Sequence, residues 1–273
     1  MTLDTAVTDT AAPVLLEVTD GIATVTLNRP ATLNALSEEI LAALQSTWDE
    51  IADRSDVHVA ILRGAGKNFC AGHNLKEMTA RRADDDGGRA HFQELFATCS
   101  KMMTSIVRLP KPVIAQVHGI ATAAGCQLVA SCDLAVAADS ARFATSGVNI
   151  GLFCSTPMVA LSRNVARKHA MEMLLLGEFL PAATAADIGL VNRVTPEAEL
   201  ETATRAMAQI IADKSPSAVR IGKKAFYAQA QMDLDGAYTY AGEVMAENMM
   251  ARDARGGIGA FINKDPMPDW TGE

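Results

Sequence analysis

Two stretches carry the residue types that chemistry needs: Phe69-Cys-Ala-Gly-His-Asn-Leu-Lys-Glu-Met78 and Gly119-Ile-Ala-Thr-Ala-Ala-Gly-Cys-Gln-Leu-Val-Ala-Ser-Cys-Asp133. Each follows an apolar run of strand composition, residues 59–62 and 112–117. Each then passes through small residues, where a backbone N–H can meet a ligand unobstructed by side chains. Two such amides converging on one point make an oxyanion hole. That geometry implies a carbonyl, above all a thioester, as the group being held. Taken singly, either stretch reads equally well as a tight packing turn between strand and helix.

Other arrangements fail on their own terms. Gly64-Ala-Gly-Lys67 invites a phosphate-loop reading, but a Walker sequence needs glycine where Ile61 stands and Ser or Thr where Asn68 stands. Gly256-Gly-Ile-Gly-Ala260 has no strand before it, so it is no dinucleotide fingerprint. His58, His73, His91, His118 and His169 show no paired metal-ligand spacing, and no metal is expected. A Ser/His/Asp hydrolase would want a GxSxG elbow, which is missing. His118, after a buried strand, reads as a structural histidine. Cys70, Cys99, Cys126 and Cys132 read as small core residues.

The elements that must position the two stretches follow from spacing. Residues 14–18 and 22–27 read as strands joined by Asp20-Gly21, a tight-hairpin signal. Ser37, Glu38 and Glu39 precede Ile40, Leu41, Leu44, Trp48 and Ile51 at helical intervals, which predicts a capped amphipathic helix. A strand over 57–63 leads into the first stretch. Residues 81–88 have the composition of a mobile exposed loop, followed by a helix from about Ala90 to Arg108. A strand over 113–117 leads into the second stretch and a helix starting near Ala124; 133–137 reads as a further strand. Ser155-Thr-Pro157 opens a long helix ending before Gly177, and 197–262 read as successive helices. The organisation expected is a flexible tail over 1–12, an α/β core over 13–196 and a helical region over 197–273.

The 273 residues are 49% hydrophobic and 21% charged, with a net charge of −8. That acidity argues against nonspecific binding of nucleic acid or anionic membrane. No stretch approaches the roughly 18 apolar residues of a membrane span. Five cysteines without a CxxC pair suggest a reducing compartment. The first 13 residues lack Lys, Arg and a long apolar run. Together these point to a cytoplasmic protein.

The ordered set of matches resembles the crotonase superfamily, the enoyl-CoA hydratase/isomerase relatives. It runs from Gly21-Ile-Ala-Thr-Val-Thr-Leu-Asn-Arg-Pro30 and Leu33-Asn-Ala-Leu36 through both small-residue stretches. It continues in Met171-Glu-Met-Leu-Leu-Leu-Gly177, Ala185-Ala-Asp-Ile-Gly-Leu-Val191 and Gly257-Ile-Gly-Ala-Phe261, covering roughly residues 14–265. The His73-Asn74 pair with Ala-Ala-Gly-Cys-Gln127 is similar to the branch of enoyl-CoA hydratase domain-containing proteins. The resemblance implies a spiral of ββα units with a C-terminal helical oligomerisation region, assembling as a homotrimer or a dimer of trimers. It implies an acyl-CoA thioester as ligand, coenzyme A entering only as part of it, with no tightly bound cofactor. The oxyanion donors it implies are the backbone N–H groups of His73 and Ala124. Toward coenzyme A it points to Ala71 and Lys76, with Phe261 and Lys264 reaching a neighbouring subunit's nucleotide end. The alternative for either lysine is a solvated surface charge, and Ala31 stands where some relatives place another lysine.

The same resemblance exposes a loss. The family's hydratases add water with two glutamates, whose positions here hold Gln127 and Gly147. Glutamine hydrogen-bonds but exchanges no proton near neutral pH, and glycine offers no side chain. One acid–base group is worth about 10²–10⁴-fold. Two-glutamate hydration, a lyase reaction, is therefore expected to be weak or lost, and restoring both glutamates is expected to raise it. The double-bond isomerase variant, which uses the second position, is placed in doubt too. Nearby substitutes are His73, Asn149, Cys154 and Ser155, of which only His73 has an ordinary pKa near neutrality. Two functions stay open: an enzyme of fatty acyl-CoA metabolism using His73 or water, and a non-catalytic acyl-CoA carrier or regulator.

Overall fold

The computed structural model describes residues 12–273, so all of the expected tail but Ala12 lies outside the described residues. β1 (Val14–Thr19) and β2 (Ile22–Leu27) pair antiparallel. Their turn is Asp20 and Gly21, both at positive φ (54° and 75°), the twist a two-residue hairpin demands. The Ser37 hydroxyl accepts from Ile40 N and caps α1 (Glu38–Asp53). That helix buries Ile40, Leu41, Leu44, Trp48 and Ile51, the face its spacing predicts. β3 (Val59–Gly64) then joins β2 in parallel.

Asn74 caps α2 (Leu75–Ala80) through its side chain to Lys76 N. Residues 81–87 are exposed as expected, yet the Asp86 carboxylate takes the amides of Gly88 and Ala90 and seats the start of α3 (Arg89–Arg108). β4 (Val113–Val117) and β5 (Ile120–Thr122) flank Gly119, at φ 57°, where a Cβ would sit 2.1 Å from Lys67 O. α4 (Ala124–Ser131), β6 (Leu134–Ala138) and β7 (Arg142–Ala144) follow.

The single long helix expected up to Gly177 is two, α5 (Pro157–Asn164) and α6 (Arg167–Leu176). Val165 and Ala166 between them are extended, with ψ of 140° and 143°. Val165 is buried there, and the Asn164 amide donates to Ala160 O and Ala130 O, tying the end of α5 to α4. Burial and this side-chain tether outweigh helix continuity. Gly177 closes α6 in the left-handed region, as expected. β8 (Leu180–Pro181), α7 (Ala182–Asp187) and β9 (Arg193–Thr195) complete the strands among the described residues. The helices α8 (Leu200–Ala212), α9 (Pro216–Gln229), α10 (Leu234–Met250) and α11 (Arg252–Asn263) follow.

The large sheet runs β1-β2-β3-β4-β6-β9, parallel from β2 onward, and a small sheet runs β5-β7-β8. Each strand β4 and β6 is followed by a short strand in the other sheet and then by a helix. β3 does the same in reduced form, through a bridge between Cys70 and Ala121 ahead of α2. This is the spiral of ββα units. Its inner parallel strands β3, β4 and β6 are buried on both faces, which is why they read as largely apolar runs, whereas the parallel edge strand β9 is mostly exposed.

The helical end is fastened by polar groups. Lys223 Nζ donates to Ile106 O (3.0 Å), Lys111 O (3.0 Å) and Asp133 Oδ2 (2.7 Å), and Tyr227 donates to Asp133 Oδ1 (3.0 Å). Asp253, buried at the start of α11, accepts from Ser215 Oγ, Thr271 N, Thr271 Oγ1 and Gly272 N. α10, by contrast, buries none of its residues.

Candidate active site

The two small-residue stretches meet. Gly72 adopts φ 92°, and a Cβ on it would lie 3.0 Å from Ala123 Cβ, 3.1 Å from Thr122 O and 3.4 Å from Ala124 N. A Cβ on Gly125 would lie 2.2 Å from Cys70 O, so α4 begins in direct contact with the end of the first stretch. Only glycine permits either approach.

The backbone around them leaves two amides unused. Leu36 bridges His73 by donating to Gly72 O (2.7 Å) and accepting from Asn74 N (3.2 Å), a pattern that skips His73 N. In the second stretch Ala123 N donates to Ala144 O (2.9 Å), and the first bond of α4 runs from Gln127 N to Ala123 O (3.0 Å). Ala124 N is one of the donors a helix start leaves over. Neither His73 N nor Ala124 N has a partner among the described residues. Ala123 itself holds φ 51° and ψ −118°, a conformation alanine rarely adopts.

Both residues line a cavity of about 230 Å³. Its walls are Ala71, His73, Leu75, Met78 and Phe96, then Ala123, Ala124, Ser146 and Gly147, and finally the turn from Ile150 through Leu152–Pro157. Among the described residues the lining is largely apolar and includes no carboxylate; its titratable side chains there are His73 and Cys154. The His73 ring stands edge-on to Phe96 (5.6 Å between centroids, 81°). Both of its nitrogens are buried without a hydrogen-bond partner among the described residues. Burial holds its pKa below the ordinary value, with the Leu36 backbone pulling the other way.

The positions of the two glutamates differ from each other. Gly147 lines the cavity and is buried, and the space above it is taken: a Cβ would lie 2.2 Å from Leu152 O and 2.9 Å from Cys154 Sγ. The position is closed by the following turn, so a glutamate cannot simply be put back. Gln127 does not line the cavity; it is buried in α4, its Oε1 without a partner among the described residues.

The other candidates separate in the same way. Burial pushes the Cys154 thiol up, the Gly147 backbone opposing, so it is no ready nucleophile. Burial pushes Cys70, Cys99 and Cys126 up to about 12, consistent with core thiols. Ser155 lies at the cavity, whereas Asn149 does not line it and donates to Gly177 O (2.9 Å). Ala71 lines the cavity; Lys76 is exposed on α2, one residue beyond lining Leu75. Phe261, 75% exposed, and Lys264 lie at the end of α11 and do not line it. Sequence reasoning missed Phe96, Met78 and the Leu152–Phe153 pair. Phe96 follows the helical period of α3, but nothing in the period says which cavity that face meets.

A model of the enoyl-CoA hydratase/isomerase family matches residues 17–273. The chain is 48% identical over 257 residues to a Xenopus laevis protein named enoyl-CoA hydratase domain-containing protein 3, mitochondrial, covering 94% of this chain and 85% of that one. Among solved structures, an enoyl-CoA hydratase from Mycobacterium smegmatis superposes with TM-score 0.90 at 52% identity, covering 94% of this chain and 98% of that one. The human enoyl coenzyme A hydratase domain-containing protein 3 superposes with TM-score 0.89 at 46% identity, covering 94% and 99%. These relatives correct the expectation of a cytoplasmic protein, since the frog protein and its human counterpart are named mitochondrial. The physical reason for the miss is that buried free thiols report reducing surroundings, which are not an address.

Proposed function

From the premise that the chain belongs to the enoyl-CoA hydratase/isomerase family, we propose that it binds an acyl-CoA thioester in the cavity between α3, α4 and the 150–157 turn. The thioester oxygen is received by the backbone amides of His73 and Ala124. Two-glutamate hydration is not its reaction. The observation that carries this reading is the pair of unpartnered amides beside one apolar cavity that has no carboxylate in its lining. The closed Gly147 position and the Gln127 amide, set back from the lining, support the loss of hydration.

On this reading Ala71 contacts the ligand at the cavity wall and Lys76 faces the coenzyme A phosphates at its mouth. Phe261 and Lys264 serve a neighbouring copy, in a homotrimer or a dimer of trimers. The exposure of Phe261 and the apolar residues left uncovered on α10 support that assembly. The absence of a carboxylate from the lining also favours a second reading, a carrier that retains the thioester unchanged.

Titration calorimetry with crotonyl-CoA and with the matching thioether, which lacks only the carbonyl oxygen, tests the oxyanion contact. Two net hydrogen bonds of about 1 kcal/mol each predict about a tenfold or greater loss of affinity in the thioether. Equal affinities contradict the proposal.

A further inference from the structure

We propose that residues 265–273 form a strap whose seat on α11 sets the position of Phe261 and Lys264 toward a neighbouring copy's coenzyme A, with Asp253, Gly257 and Trp270 as positioning residues. The proposal rests on the preceding reading, in which those two side chains serve the neighbour's ligand.

α11 is poorly equipped to hold its place unaided. Gly256, Gly257 and Gly259 lie in its interior, and each weakens a helix relative to alanine. Among its described residues only Asp253 is buried, while Ile258, Phe261 and Ile262 are exposed. No apolar face anchors this helix to the core. The adjacent glycines, which fit no dinucleotide fingerprint, have another use.

Lys264, at φ 59°, ends the helix, and Asp265 N donates to Ala260 O (2.9 Å), which turns the chain back along it. A Cβ on Gly256 would lie 3.5 Å from Pro268 Cγ, and one on Gly257 would lie 3.0 Å from the Trp270 ring. Asp253, Gly256 and Gly257 are spaced i, i+3, i+4 and so share one face of the helix. The bare backbone of that face is the seat of the strap. Farther along, Asp253 accepts from Thr271 N (2.8 Å), Thr271 Oγ1 (2.8 Å) and Gly272 N (3.0 Å), and its own N–H donates to Glu273 O (3.0 Å). The hairpin of helix and strap is tied to the body at two points. Trp270 Nε1 donates to Asp213 O (3.0 Å) just after α8, and Ser215 Oγ, the cap of α9, donates to Asp253 Oδ2 (2.6 Å). The end of α11 that bears Phe261 and Lys264 is therefore fixed by the strap. Side chains held in place beforehand give up less freedom on binding.

Butyryl-CoA and the matching N-acetylcysteamine thioester, which lacks the phosphates and adenine, test this by titration calorimetry. Hydrogen exchange at Thr271 and Gly272 reports the strap in parallel. Wild type is expected to protect both amides and to bind butyryl-CoA more tightly than the truncated thioester. Trp270→Ala removes the ring, and Gly257→Leu strengthens the helix while filling the ring's seat. Both variants are expected to lose the protection and about tenfold in affinity for butyryl-CoA, the scale of ordering two side chains afresh. Their affinity for the truncated thioester and their sedimentation are expected to match wild type. Unchanged butyryl-CoA affinity after protection is lost, or an equal loss for both thioesters, overturns the proposal. Protection retained in both variants overturns it as well, because the seat is then elsewhere. If Phe261→Ala with Lys264→Ala leaves butyryl-CoA affinity unchanged, the preceding reading of those residues falls, and the proposal with it.

Discussion

At the residue scale, the site is defined as much by what is crowded out as by what is present. Gly147→Glu drives a side chain into Leu152 O; we expect a loss of about 1–3 kcal/mol or more in urea denaturation, the cost of overpacking. Restoring Gln127 and Gly147 together as glutamates therefore tests the loop before it tests the chemistry. Ala123 is strained in the opposite sense. At φ 51°, glycine relieves about 1–2 kcal/mol of steric cost. Against this stands a loss of about 0.4–1 kcal/mol through the freer unfolded chain. Ala123→Gly should thus be neutral to mildly stabilising by thermal denaturation, and marked destabilisation would contradict the backbone assignment. His73 gives a pH signature. Its folded pKa lies below the unfolded value of about 6.5, so the unfolded chain binds more protons in the window between them. Stability attributable to His73 is full above that window and falls as pH drops through it. His73→Gln should flatten this part of the stability–pH curve, and identical curves would contradict the buried placement.

At the scale of elements, legibility followed locality. The α1 helix was readable because its cap and its buried face are written within one element: Ser37, then Ile40 to Ile51. Ser37→Ala should cost about 1 kcal/mol of stability and leave thioester affinity unchanged, as denaturation and calorimetry would check. The strand-to-helix passages at Gly72 and Ala124 were readable for the same reason. The three-residue strands β5 and β7 were not, because so short a run shows no period. Nor was the break at Val165, which depends on the Asn164 amide reaching Ala130 O on another helix. The cavity's far wall lay beyond reach too. Leu152 and Phe153 belong to an irregular turn whose placement over Gly147 is a tertiary fact.

At the scale of the whole molecule, the chain carries a net charge of −8 and no Lys or Arg among the described residues lines the cavity, and α10 leaves Leu234, Tyr238, Met245 and Met250 exposed. Apolar exposure of that extent on one helix marks an interaction surface. Sedimentation should return a trimer or hexamer, and Met245→Glu with Met250→Glu should weaken that assembly and, with it, coenzyme A affinity through Phe261 and Lys264. A wild-type monomer with full thioester affinity would contradict the neighbour's contribution. The central claim, that this chain holds acyl-CoA thioesters without two-glutamate hydration, is tested most directly by mass spectrometry. Purified protein would be incubated with a panel of 2-enoyl-CoA thioesters, and each sample inspected for products and for ligand retained on the folded protein. The expected result is retained thioester with no addition of water above a heat-denatured control. Addition of water well above that control would contradict it.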